Sequence, residues 1–369
     1  MIIAQVTKYF YPTVKGGIEN MVYNLSKEII SEGYDPVIVT KSVNKKIEKI
    51  YLDRSNLKIE YTDFTKLAYK LFEIDPHIVH VHNFHRMETD ILSLSKFNVP
   101  FVLTTHGSLA SVDYLTNPLK KSLLKAHDFL LTQKIINKFF SKIVALGNHE
   151  VIFLREMGIK QSKIEVIPNG IPDSFFQEHA QPSLTKLPIY DHPYILTLAR
   201  ISPIKKLEDI ILSIKKLPSE LHYVIAGDGS NQYRKYLESV TKDLGISKRV
   251  HFIGYVSGLE KIDLIKNSMA FVLSSVYEEQ SIAVLEAMAL GTVAVVTNVG
   301  GMSDIVSNNS NGFLFQLGEI QQLSSILKNL YENNRLRKAI GESASNFAVD
   351  YKWSKIANKY AALYESIMD

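Results

Sequence analysis

Strand-length apolar runs alternate with amphipathic helical stretches along nearly the whole of this chain, and the alternation breaks once and then restarts. Such alternation marks parallel α/β architecture, because two parallel strands need a crossover, usually a helix, between them. Before the break the strand-like runs are Ile2–Thr7, Pro36–Thr40, Ile78–His82, Phe101–His106, Lys142–Gly147 and Ile164–Gly170. A helix is predicted over Ile18–Ser31, with Ile18, Met21, Val22, Leu25 and Ile29 on one face and Gly33 placed to end it. The stretch Asp173–Pro193 carries prolines 182, 188 and 193 without periodicity and reads as a linker. After it come Tyr194–Ile201, Leu221–Gly229, Val250–Val256, Ala270–Ser275, Thr292–Asn298 and Gly312–Gln316 as strands, with a helix over Leu207–Leu217. The expectation is two similar α/β domains, 1–172 and 194–353, joined by the linker 173–193, with a last helix in 354–369 that can pack back on the first domain.

Composition removes several function classes. The 369 residues contain no cysteine, which excludes disulfides, thiolate catalysis and Cys-ligated zinc and suits a reducing cytosol. The first residues, MIIAQVTKYFYP, lack the basic start and long apolar core of a signal peptide. No apolar run approaches the roughly 20 residues that span a bilayer. A net charge of +4 fits an anionic small substrate or a membrane surface rather than nucleic acid, and aromatic-basic RNA-binding motifs are absent.

Open parallel sheets bind ligands beyond the carboxyl ends of their strands, so residues at strand ends are the candidates for chemistry. Two such sheets facing each other would place both sets of loops around one cleft. In SSVYEEQSIAVLEAMALG, Glu278 lies in a strand-to-helix turn and Glu286 in the helix that follows. Taken alone, each acid is also accounted for as decoration of a helix start, where the dipole favours it by about 0.3–1 kcal/mol. Their company matters more. GGIEN (Gly16–Asn20) opens the first helix, where glycines let backbone amides approach a phosphate. NVGGMSDIV repeats that design in the second half, and ARISPIKK places Arg200 and Lys205 just past a strand. An Arg fork and a Lys point charge suit a diphosphate.

With these residues the chain resembles the retaining glycosyltransferases of family 4, which have the GT-B fold of two Rossmann-like domains with parallel sheets facing across a cleft. The resemblance is carried by GGIEN, VIPNGI, LARISPIKK, VIAGDG, HFIGYV, YEEQSIAVLEAMALG and GGMSDIV, in family order over almost the full chain. It implies that Glu278 contacts hydroxyls of a donor sugar, that Glu286 holds the ribose, and that Arg200 and Lys205 neutralise the diphosphate. It further implies that Gly16 and Gly17 face that diphosphate, that Tyr255 and Val256 frame the base, that Ser281 and Ile282 line the donor site, and that His106 lies near the transferred sugar. The partners it implies are a nucleotide-sugar donor and a glycan or lipid-linked acceptor, in envelope or surface-polysaccharide synthesis, with no separate cofactor and no metal. The chemistry agrees: cations and helix amides stabilise the departing phosphate, carboxylates fix sugar hydroxyls, and no Asp-x-Asp triplet is present to anchor a metal nucleotide.

Three departures from the family pattern stand out: Glu279-Gln280-Ser281 in place of glycine-aromatic-glycine, Lys206 where glycine is common, and Asp304 for a frequent glutamate. The first bears on which sugar fits. A nicotinamide dehydrogenase is the main α/β rival, but KYFYPTVKGGIEN fails its G-x-G-x-x-G fingerprint. A non-catalytic sugar- or nucleotide-binding scaffold would not need Arg200, Lys205, Glu278 and Glu286 together.

Two further features lie outside that set. His77, His80, His82 and His85 crowd one segment without acidic co-ligands, which favours hydrogen-bonded histidines over a metal site. Leu119–Phe140 reads as one basic amphipathic helix, with Lys120, Lys121, Lys125, Lys134 and Lys138 among large apolar residues. Such a helix is either an ordinary solvated surface or a contact with anionic lipid, the latter placing a cytoplasmic protein peripherally at the inner membrane face.

Overall fold

In the computed structural model, residues 1–10, 16–41, 49–52, 57–83, 97–107, 109, 118–177 and 191–368 are described. The chain divides into two compact units. One comprises Met1–Pro172 with Tyr351–Asp369, the other Asp173–Asp350.

The first unit runs β1 (Ile2–Thr7), α1 (Gly17–Ser31), β2 (Asp35–Lys41), β3 (Lys49–Leu52), β4 (Leu57–Thr62), α2 (Leu67–Ile74), β5 (Ile78–His82), β6 (Phe101–Thr104), α3 (Pro118–His127), α4 (Gln133–Phe139), β7 (Lys142–Ala145), α5 (Asn148–Glu156) and β8 (Ile164–Val166). Its sheet order is β3-β4-β2-β1-β5-β6-β7-β8. Among the described residues only the β3–β4 pairing is antiparallel, at one edge. β1 is flanked by β2 and β5, so the strand order switches direction at its carboxyl end. Val6, Val39, Val79, Leu103 and Ile143 fill the core on one side of the sheet, and such strands read as continuous apolar runs because both faces are covered. β3 and β4 are absent from the pattern reading above. β4 (LKIEYT) alternates polar and apolar, and Glu60 is nevertheless buried.

The second unit runs β9 (Tyr194–Leu198), α6 (Leu207–Ile214), β10 (His222–Ala226), α7 (Asn231–Asp243), β11 (Val250–Gly254), α8 (Gly258–Lys266), β12 (Ala270–Leu273), α9 (Ile282–Ala289), β13 (Ala294–Thr297), α10 (Met302–Ile305), β14 (Gly312–Phe315), α11 (Ile320–Glu332) and α12 (Asn334–Ala348). All its pairings are parallel, in the order β11-β10-β9-β12-β13-β14. This is the doubly wound dinucleotide-binding order, with its switch point between β9 and β12.

The last helix, α13 (Trp353–Ser366), joins the first unit. Its buried residues Trp353, Ile356, Tyr360, Leu363 and Tyr364 form an apolar stripe at helical spacing. Ile171 pairs with Lys352, the Ile171 amide donates to Tyr351 O at 2.7 Å, and the Trp353 amide donates to Ile171 O at 2.9 Å.

Two expectations change. The described start of the predicted linker is not loose: Asp173–Phe176 forms a 3-10 turn with Phe175 buried, and Lys261 lies 5.1 Å from the Phe175 ring centroid. Residues 178–190 of that linker lie outside the described residues. The helix predicted over Leu119–Phe140 is interrupted by a wide π turn at Asp128–Thr132, where Thr132 donates its hydroxyl to Asp128 at 2.8 Å. An extra residue in a turn shifts the apolar face, so the single amphipathic helix expected there becomes two short helices.

Candidate active site

The switch point of the second unit gathers most of the sequence-predicted residues. Arg200 follows β9 between two anchored neighbours: the Ala199 amide donates to Ala226 O at 3.1 Å and the Ile201 amide to Asp228 O at 2.9 Å. Its own side chain is exposed and makes no ion pair or hydrogen bond among the described residues. Lys205 closes a 3-10 turn, Pro203–Lys205, and Lys206 behind it is left-handed at φ 47°. That conformation gives the physical reason why glycine is common there, since a side chain in the left-handed region costs roughly 1 kcal/mol or more.

Across the switch point, Ser274 at the end of β12 donates its hydroxyl to the carbonyls of Lys205 and Lys206, at 3.0 and 2.7 Å. The Val276 amide donates to Ile204 O at 2.8 Å. The two loops are thereby stitched together, and Lys205 forms an ion pair with Glu278. The same Glu278 oxygen accepts from Ser275 at 2.7 Å.

Gly300 and Gly301 brace this turn from behind. A Cβ on Gly300 would sit 2.0 Å from the Glu278 carbonyl oxygen, and one on Gly301 2.1 Å from that of Glu279. The Gly301 amide donates to Glu278 O at 3.0 Å. These glycines, read above as a second phosphate turn, therefore serve a close backbone approach that holds the acidic loop. The helix they open, α10, which contains Asp304, has only four residues.

Glu286 is buried a little over one turn into α9 and pairs with Lys261 of α8 at 2.6 Å. The two acids thus have separate cationic partners. Glu279, expected to bear on sugar choice, is buried and accepts from the Tyr277 hydroxyl, while Gln280 is half-buried. Ser281 occupies the N-cap position of α9 without a side-chain capping bond, and Ile282 is the first residue of the helix, both half-buried. Past β11, Tyr255 is half exposed, whereas Val256 is buried and offers a ligand little more than backbone.

In the first unit, Gly16 and Gly17 stand at the N-terminus of the 15-residue α1, which follows β1. His106 lies in the turn after β6 with φ 50°. Its neighbours are clamped by Glu150, which sequence reasoning missed. The carboxylate of Glu150 accepts from the Thr105 hydroxyl, from the Gly107 amide at 3.0 Å and from the Leu146 amide at 2.9 Å. A glutamate three residues past the N-cap Gly147 reads as a capping arm, and the bond back to Leu146 is of that kind. Its second task is tertiary. Lys261 and Ser274 were missed for the same reason, since their partners lie 25 residues or more away, whereas the partner of Ser275 is Glu278, three residues along the same turn.

The histidine segment is hydrogen-bonded. His80 is fully buried with both nitrogens engaged, at 2.7 Å to Tyr364 and 2.7 Å to Thr104. His82 bonds Gln5 at 2.6 Å and His106 at 3.3 Å. Desolvation pushes His80 and His106 down to about 3 and holds His82 well below its usual value, so all three rings are neutral at pH 7. His77 accepts from the Ile2 amide at 3.2 Å, and His85 lies outside the described residues. Among the described residues no group of three His, Cys, Asp or Glu could hold a metal ion, and no helix is long and apolar enough to cross a membrane.

Comparison with known proteins follows this division. Residues 15–175 match the family model described as Glycosyltransferase Family 4, and residues 184–347 the model described as Glycosyl transferases group 1. The chain is 23% identical to N-acetyl-alpha-D-glucosaminyl L-malate synthase of Bacillus anthracis, over 97% of this chain and 96% of that one. It is 26% identical to the N,N'-diacetylbacillosaminyl-diphospho-undecaprenol alpha-1,3-N-acetylgalactosaminyltransferase of Campylobacter jejuni, over 77% and 76%. Its fold is similar to that of Anabaena HepE, solved with UDP and glucose, at a TM-score of 0.84 and 19% identity over 99% of this chain and 100% of that one.

Proposed function

We propose that this chain, which belongs to the group 1 glycosyl transferases of family 4 type, moves a hexose-type sugar from a nucleotide diphosphate to an acceptor hydroxyl with retained anomeric configuration. The observation that carries the donor assignment is the meeting of Lys205 and Glu278 at the switch point between β9 and β12, one turn from the exposed Arg200. Breaking the sugar–phosphate bond develops positive charge on the sugar and negative charge on the departing diphosphate. Lys205 and Arg200 take the second charge, so that no divalent ion is needed, and Glu278 fixes a sugar hydroxyl beside the first. Glu286, held in place by Lys261, accepts from the ribose. Tyr255 borders the base. In the first unit, His106 faces the sugar and the α1 amides at Gly16 and Gly17 favour the phosphate. The first unit holds the acceptor.

Arg200→Ala and Glu286→Ala are each expected to weaken binding of UDP by about tenfold to a hundredfold, the loss of one charge-assisted contact at roughly 1.5–3 kcal/mol. Calorimetry with UDP in the presence of EDTA reads this directly. UDP is the first probe because HepE is solved with UDP and with UDP-glucose. Undiminished affinity in both variants removes the nucleotide assignment, and loss of wild-type binding in EDTA removes the metal-free one.

The acceptor side of this reading is a lipid-linked or surface glycan in envelope synthesis, supported by the undecaprenol-linked name of the Campylobacter relative. It includes a peripheral membrane contact at the inner face. No residue of α3 is buried, and Leu119 and Leu123 are 70% and 63% exposed among its lysines. Large apolar side chains beside lysines are the surface that binds anionic lipid. The protein is expected to sediment with phosphatidylglycerol vesicles at low salt, and combined Lys120→Glu, Lys121→Glu and Lys125→Glu changes should abolish this. Binding indifferent to salt and to those changes removes the idea.

A further inference from the structure

Six buried or half-buried groups of the first unit form one continuous hydrogen-bond chain: His106, His82, Gln5, Tyr364, His80 and Thr104. Its direction follows from the Gln5 amide. Oε1 faces His82 Nε2 at 2.6 Å, and Nε2 faces the Tyr364 hydroxyl at 3.3 Å. An amide oxygen only accepts, so His82 donates from Nε2. His82 is neutral, so its Nδ1 carries a lone pair, and the N–H between the two rings belongs to His106 Nε2. On the far side Tyr364 accepts from Gln5, and its one proton goes to His80 Nδ1. His80 then donates from Nε2 to Thr104. Every link donates in the same sense, and all three rings are Nε2–H tautomers. His106 Nδ1 has no partner among the described residues, so it is the polar atom left over for a ligand.

The chain passes through Tyr364 of α13, more than 250 residues further along the sequence than His106, and returns to β6 at Thr104. The backbone of the His106 turn is already fixed by Glu150. What the chain adds is the state of the ring. The ionisable groups around it are His80 and His82 on β5, Glu150 on α5, and Tyr360 and Tyr364 on α13.

We propose that Gln5 and Tyr364 are positioning residues for His106: they fix the tautomer of its ring with Nε2–H turned inward, leaving Nδ1 to accept a hydrogen bond from a hydroxyl of the transferred sugar. The ring state stands on the hydrogen-bond geometry together with the neutrality of His82, while its use in transfer rests on the assignment of His106 under the proposed function. A neutral acceptor at that point orients a hydroxyl without adding positive charge beside a sugar that is itself becoming positive.

The test uses the full-length protein labelled with 15N-histidine. Long-range 15N–1H spectra of the ligand-free wild type should show His106, His82 and His80 as neutral Nε2–H tautomers from pH 5.5 to 8. Tyr364→Phe keeps the ring packing and removes the hydroxyl. It frees the Gln5 amide to reverse, and His106 should then appear as two tautomers in exchange. Gln5→Leu, which removes the His82 acceptor, should do the same and serves if the first variant folds poorly. UDP release from UDP-glucose should slow by about tenfold in either variant, with KM changed less than about threefold. An Nδ1–H or doubly protonated His106 in the wild type overturns the proposal, as does a His106 spectrum unchanged in both variants. A changed spectrum with an unchanged rate overturns the role in transfer and locates the fault in the assignment of His106 to the sugar.

Discussion

Replacing Glu278 by alanine is expected to slow sugar transfer by about two to three orders of magnitude while UDP affinity holds steady or rises. The asymmetry follows from the ion pair. The Lys205 ammonium is held by the Glu278 carboxylate, with both side chains largely shielded from water. A diphosphate has to compete for that ammonium. Removing the carboxylate releases Lys205 to the phosphate and takes away the group assigned to the sugar. The binding term therefore gains or stays level while the transfer term loses. Glu278→Gln separates charge from shape: an amide can still accept from Ser275 and from a sugar hydroxyl, so it should lose less rate than alanine. Calorimetry with UDP beside steady-state rates checks both halves. An equal loss of affinity and rate in Glu278→Ala would move Glu278 from the sugar to the nucleotide.

Gly170→Ala is expected to destabilise the first unit by about 2–4 kcal/mol, which for a unit of this size lowers Tm by roughly 5–15 °C. The added Cβ would lie 2.3–2.7 Å from three ring carbons of Trp353, inside any van der Waals contact. The indole is 1% exposed, so it has no free space into which to retreat. The backbone cannot yield either, because Ile171 is bonded on both sides to the chain entering α13. The helix must shift or the ring must leave its rotamer. Trp353 is the single tryptophan of the chain, so its fluorescence reports α13 alone. A red-shifted spectrum in Gly170→Ala and a lowered melting temperature are expected together. Trp353→Ala, which deletes the ring instead, should cost about 3–5 kcal/mol through the cavity it leaves. A Gly170→Ala protein with unaltered melting and fluorescence would show that the contact can be relieved at no cost.

Much of this molecule is legible from residue order. Period and punctuation are local properties, so the alternation of strands and helices, the break after Pro172 and the loops that follow β9 and β12 can be read from neighbours in the chain. The glutamates, Arg200 and Lys205 are legible because each lies at the end of an apolar run, where an open sheet exposes its loops. The edge strand β3 and its neighbour β4 are not legible, because a short stretch of mixed polarity matches a loop nearly as well as it matches a strand.

Pairing was decided only by the tertiary structure. Nothing near Lys261 signals Glu286, and nothing near Glu150 signals the turn that carries His106. Gly300 and Gly301 suggest a phosphate turn until the carbonyls of Glu278 and Glu279 are found lying against them. The crowded histidines read as hydrogen-bonded rather than metal-ligating, but nothing near them signals that Gln5 and Tyr364 are the partners. The physical reason is common to all four cases. Propensity and dipole act over a turn or two of chain, whereas hydrogen bonds, ion pairs and close contacts act through space and join residues whose separation in sequence carries no trace of the contact.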